Sequence, residues 1–117
     1  MTAINVQRVM PVLSVEDIPA AVDLYLRVFR LRVAMDHGWI VALVDDDGHQ
    51  IGLMTRDATA PVNPDVSVFV DDVDAAHEEA VAAGFEIVHP LTDEPWGVRR
   101  FFLRDSGGNV VNVGMHL

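Results

Sequence analysis

Apolar and polar positions alternate with two different periods along the chain, and the changes of period mark the elements. Residues 6–14, VQRVMPVLS, alternate loosely and are rich in β-branched side chains, which predicts a strand. Ile18, Val22, Tyr25 and Phe29 then fall at helical spacing. Asp17 stands before them as a suitable N-cap, and Pro19 sits in the first turn, where a missing N–H costs little. RVAM, WIVALV and QIGLMT read as strands, the last two joined by the Gly-containing turn DDDGH. The order then recurs. Val66–Val70 is a strand, Asp72 an N-cap, and Val73, Ala76, Ala80 and Val81 an apolar stripe closed by Gly84. FEIV, VRRFFLR and VVNVGM follow as strands, the last two joined by DSGGN.

This recurrence is an internal repeat. Asp17 aligns with Asp72 and Ile18 with Val73, 55 positions apart. Asp45 aligns with Asp105 and Gly48 with Gly108, 60 positions apart. The second copy therefore holds five more residues. HPLTDEPWG (89–97) has no counterpart and is expected to be their loop. RDATAPVNPD, with two prolines and small residues, reads as the connection between copies. The expectation is one domain over 1–117, with βαβββ modules at 4–55 and 65–116 and a linker at 56–64. The predicted class is α+β. Each helix covers one face of its own sheet, and the two uncovered faces together would form an open, barrel-like cleft. A cleft of that kind is the default ligand site.

Composition narrows the function. Half of the residues are hydrophobic, and no apolar run approaches the length of a membrane span. The net charge is −10, so no basic face is available for nucleic acid. An acidic surface favours cationic ligands and keeps the chain soluble. Cysteine is absent, which removes disulfides and thiolate chemistry. The opening MTAINVQRVMPV lacks a signal-peptide pattern, and a cytoplasmic home is expected. DSGGN is not a phosphate loop, because a strand follows it and no Lys-Ser/Thr does.

The duplicated βαβββ pattern, the acidic pair opening each helix, and PWGVRRFFLRDSGGNVVNV near the C-terminus resemble the vicinal oxygen chelate superfamily. That group includes glyoxalase I, extradiol dioxygenases, fosfomycin-resistance enzymes and bleomycin resistance protein. Ser106 and Gly107 replace the Pro-Asp usual in the family's turn. The resemblance implies the glyoxalase/bleomycin resistance fold, with a cleft completed in a dimer. It also implies four metal-ligand positions, which here are Met10, Gly52, Asp65 and Asn112. A thioether, a glycine, one carboxylate and one amide suit a divalent metal poorly, since such sites want imidazole and carboxylate. No metal and no cofactor are expected.

Strand alternation fixes which neighbours share a face with those positions. Met10 and Val12, then Met54, then Asp65, Ser67 and Phe69, and finally Asn112 would line the cleft. Arg100 and Phe102 would join them if Phe101 and Leu103 pack on the helix. Trp39 is expected to plug the core edge, and Trp96 to present its ring from a Gly-flanked loop. Arg99 matches the family's recurring arginine, with the acidic TDE at 92–94 as its structural partner. Two functions follow. One is a metal-free small-molecule binder that sequesters an aromatic or cationic antibiotic as a homodimer. The alternative is a glyoxalase-like lyase or dioxygenase using atypical metal ligands, or acid–base work by Asp65, His89 or Glu94. A regulatory module that kept the fold without the chemistry is the blander possibility.

Overall fold

The computed structural model describes residues 3–117. Ten elements follow one another: β1 (Val6–Ser14), α1 (Ile18–Val28), β2 (Arg32–Asp36), β3 (Ile40–Val44), β4 (Gln50–Met54), β5 (Val66–Val70), α2 (Val73–Ala82), β6 (Glu86–Glu94), β7 (Val98–Arg104) and β8 (Val110–His116). The architecture is α+β. Two compact units divide it. The first is Met10–Asn63; the second runs from Pro64 to Leu117 and includes the N-terminal segment up to Val9. No helix among the described residues is long and apolar enough to cross a membrane.

In the first unit the sheet order is β2-β3-β4-β1, with β1 and β4 parallel and the other pairs antiparallel. The parallel pair follows from the chain itself, because α1 separates β1 from the strands after it. Asp17 Oδ1 accepts from Ala20 N at 3.0 Å, a cap worth about 1 kcal/mol. Ile18 leads the apolar face of α1 onto Val41, Leu43 and Leu53. The opposite sheet face packs Met10, Val12, Ile40, Ala42 and Met54 together, with Met35 and Trp39 against them. β3 is therefore buried on both sides, which explains its unbroken apolar run.

The β3–β4 turn is held by Asp45. Its Oδ1 accepts from the backbone N of Asp47 and His49, and its Oδ2 lies 2.7 Å from His49 Nδ1. These bonds hold Asp45 below the usual carboxylate range, and the Asp45 hydrogen bond and charge raise His49 above the ordinary histidine value. A raised histidine contributes stability that is complete below its unfolded pKa and fades as pH climbs through the folded one. We expect NMR titration to find His49 titrating above an unstructured histidine, and Asp45→Asn to bring it back. An unchanged His49 in that variant would refute the pairing.

In the second unit the sheet order is β5-β8-β7-β6, again with one parallel pair, β5 and β8. Asp72 Oδ1 accepts from Ala75 N and caps α2. Gly84, at φ +82°, ends it as only glycine does cheaply. Val73, Ala80, Phe101, Val113 and Val70 form the core between α2 and the sheet. His77 meets Phe101 edge-on at 4.9 Å. Val81 does not belong to that core; it is 55% exposed. It lies one residue past Ala80, which rotates it off the face that the sheet covers. Asn5 fastens the N-terminal segment to the β5–α2 junction through both oxygens of Asp71.

The expected loop at 89–97 is corrected by the structure. β6 continues to Glu94, nine residues against five in β2, so most of the extra residues lengthen this hairpin, with one-residue register shifts between Ile87 and His89 and between His89 and Thr92. Only a tight turn remains, with Gly97 at φ +86°. Bulges accommodate inserted residues without breaking the hairpin. The repeat itself appears in the register. Val12 pairs with Gly52 in the first unit and Ser67 with Asn112 in the second, the same offsets of 55 and 60 that the sequence carries.

Candidate functional site

The sheet face of the second unit that points away from α2 carries side chains in rows across the strands. Period two places Phe101, Leu103, Val111 and Val113 on the helix side, and Arg100, Phe102, Asn112 and Gly114 on the other. Pairing then sets the rows. Ser67, Asn112, Phe102 and His89 lie side by side in one, and Phe69, Gly114 and Arg100 in the next. His116 and Val98 form a third, with Glu94 beyond them on β6.

The polar members of these rows are buried. Ser67, His89, Glu94, Arg100 and Asn112 all expose less than a tenth of their surface. Arg100 Nε and His89 Nε2 lie 3.4 Å and 3.6 Å from the same oxygen, Oε1 of Glu94. His89 Nδ1 donates to Pro90 O at 2.8 Å, which fixes the ring. The Arg100 guanidinium stands over the rings of Phe102 (4.8 Å) and Trp96 (5.0 Å), which accept a cation on their faces. Asn112 Nδ2 donates to Ser67 Oγ at 3.0 Å, while Asn112 Oδ1 has no hydrogen-bond partner.

At the other end Arg8 lies 3.9 Å over the Phe69 ring and donates to His116 Nε2 at 2.7 Å. Phe69 and His116 are stacked at 4.9 Å. Burial, and then the Arg8 charge, lower the His116 pKa, favouring the neutral ring that accepts this bond. Gly114 makes room for the stack, since a Cβ there would come within 3.2 Å of Phe69 Cε1.

The sequence candidates separate into groups. Ser67, Phe69, Trp96, Arg100, Phe102 and Asn112 come together on this face. Met10, Val12, Met54 and Trp39 come together in the apolar cluster of the first unit. Asp65 and Arg99 join neither. The Asp65 carboxylate is exposed and accepts from Val110 N at 2.8 Å. Arg99 lies on the helix side and pairs with Asp74 and Asp93, both at 2.9 Å, which raises its pKa. Arg8 and His116 escaped the sequence reading, although the parity of Asn112 and Gly114 points to His116. His89 and Glu94 escaped as partners of Arg100 because the bulges of β6 hide its parity.

The four positions that resemble the family's ligand set do not fit a divalent metal. Met10 Cε would lie 2.9 Å from a Cβ on Gly52, so the thioether occupies the space a ligand there would need. Asp65 is engaged at Val110, and Asn112 offers one neutral oxygen. The first unit also has an open groove of about 450 Å³ between Phe29–Leu31 and the β3–β4 turn. Asp45, Asp47 and His49 gather there with ligand atoms within 4.8 Å of one another. Their hydrogen bonds build the turn itself, and Asp46 pairs with Arg32.

Known proteins resemble this chain in sequence or in fold. An uncharacterized protein of Mycobacterium bovis is 29% identical over 133 aligned positions, covering 96% of this chain and 86% of that one. A solved structure from Legionella pneumophila, described as an NAD-dependent benzaldehyde dehydrogenase, superposes with a TM-score of 0.79 at 16% identity, covering 94% of this chain and all of that one. A glyoxalase/bleomycin resistance protein/dioxygenase superfamily member from Vibrio splendidus gives 0.67 at 16% identity, over 97% of this chain and all of its own. At such identities the superpositions speak for the fold alone. The profile of the Glyoxalase/Bleomycin resistance protein/Dioxygenase superfamily matches residues 6–113, nearly the whole chain, and the protein belongs to that superfamily.

Proposed function

We propose that this protein binds an aromatic small molecule without a metal, on the second unit's sheet face away from α2, and sequesters it as an antibiotic-resistance protein would. One observation carries the reading: five buried polar side chains sit among Phe69, Trp96 and Phe102 on that face. A fold gains nothing from polar groups there, since each must be desolvated and satisfied. A ligand that stacks on the rings and uses the polar groups does gain. The net charge of −10 draws cationic drugs toward the protein, although Glu94 is already engaged with Arg100 and His89.

Calorimetry with a panel of neutral and cationic aromatic antibiotics, bleomycin-like glycopeptides included, tests this. The expected result is saturable binding at one ligand per chain, weakened about tenfold by Trp96→Ala, with the ligand recovered unchanged. No binding across the panel would overturn it. So would one equivalent of transition metal in protein purified without chelator. A second reading, an acid–base enzyme, draws on the buried contact between His89 and Glu94. Chemical change of a bound ligand, abolished by His89→Gln, would establish it. We extend the proposal to a homodimer, which the exposed Leu24, Val28 and Phe29 on and just after α1 support. Sedimentation at the 12.9 kDa of one chain would refute that part.

A further inference from the structure

We infer that Asn112 Oδ1 is a selector for neutral, planar ligands bearing an N–H or O–H donor. This rests on the binding face proposed above. Asn112 is only 7% exposed. Its Nδ2 is used on Ser67 Oγ, and its Oδ1 has no hydrogen-bond partner. Turning the amide over would give Oδ1 to the Ser67 hydroxyl and leave the Nδ2 donors unmet, so one pole of the amide is unfilled in either orientation. A buried acceptor left unmade is expensive, and an apolar side chain of the same shape would serve the fold better. The acceptor is accounted for by a donor brought in from outside.

The surroundings set the rest of the ligand's chemistry. Phe102 lies across from Asn112 on β7, and Phe69 lies over Gly114 one row along, so the neighbours of the amide are aromatic and match a flat apolar ring. A cationic head finds the buried carboxylate of Glu94 already within 3.4 Å and 3.6 Å of Arg100 and His89. An anionic head meets Glu94, the Asn112 oxygen and a chain of net charge −10. A neutral donor on an aromatic ring fills the Asn112 acceptor without displacing a pair.

Indole and benzofuran test this, because they share shape and differ in one N–H donor. The wild type is expected to bind indole at least tenfold more tightly than benzofuran. Asn112→Leu, which replaces the amide by an apolar group of similar size, is expected to bring that ratio to about one. Equal binding of the two compounds to the wild type would overturn the selector and leave the binding face standing. Failure of both to bind would overturn the selector together with the face. The wild-type ratio decides even if the leucine variant folds poorly.

Discussion

Glu94→Ala will lower the unfolding free energy by about 3–5 kcal/mol, the loss typical of removing one partner from a buried ion pair. The three side chains around Glu94 Oε1 justify the size. Those of Glu94, Arg100 and His89 are 5%, 4% and 7% exposed, so little solvent is available to replace the lost carboxylate. The Arg100 guanidinium would keep the faces of Phe102 and Trp96, but cation–π contact returns only about 1–2 kcal/mol. Glu94→Gln keeps shape and acceptor while losing charge, and should fall between the wild type and the alanine variant. Replacing the pair together, Glu94→Leu with Arg100→Met, removes both charges from the interior. It should return to within about 1 kcal/mol of the wild type, as apolar substitutes for buried pairs do. Urea titrations of the four proteins measure all of this. A loss under 1 kcal/mol in Glu94→Ala would mean that the pair is solvated. A double variant as weak as the single would mean that geometry, not charge, holds the row.

The same cluster marks how far the amino-acid sequence could be read. β1, both N-caps and the β5 and β8 strands were legible because period and capping act locally. Asp17 and Asp72 each accept from the N–H three residues on, as a cap must. The duplication was legible down to register, since Val12↔Gly52 and Ser67↔Asn112 repeat the alignment. Period two also placed Ser67, Phe69, Arg100, Phe102 and Asn112 on one face once Phe101 was assigned to the helix side. What failed was the stretch 89–97. The want of a counterpart in the first copy suggested a loop, yet β6 runs through His89 and Pro90 to Glu94 by way of bulges. A bulge resets parity, so alternation no longer tells which side chains face inward. His89 and Glu94 were therefore visible as candidate acids and bases but not as partners of Arg100. Arg8 and His116 were missed for another reason. Their contact joins the two ends of the chain, and no local pattern encodes a contact across 108 positions.

Asp57→Ala is expected to cost about 2–4 kcal/mol, as removal of a buried, multiply bonded group does. It lies in the stretch that reads in sequence as a plain connection. Asp57 is 1% exposed, and its Oδ1 accepts from both the backbone N and the hydroxyl of Thr59. Its own N–H donates to Asn63 Oδ1 at 2.8 Å. The Asn63 amide donates in turn to Thr55 O and to Ser14 Oγ, the last residue of β1. The connection is thus a folded turn closed at both ends by side chains, and removing Asp57 takes away the acceptor that ties Thr59 to its centre. Asn63→Ala should cost somewhat less, because its bonds lie nearer to solvent. The Asn63 side chain holds the backbone N–H of Asp57, so both changes loosen one turn, and their combined loss should fall short of the sum by about 0.5–1.5 kcal/mol. Asp57→Asn retains one acceptor for Thr59 and should recover part of the loss. Strict additivity would show that the two residues act separately, and an Asp57→Ala variant as stable as the wild type would show that the segment is a passive tether. A passive tether has no reason to bury a carboxylate, and that burial is what makes the larger loss the expected one.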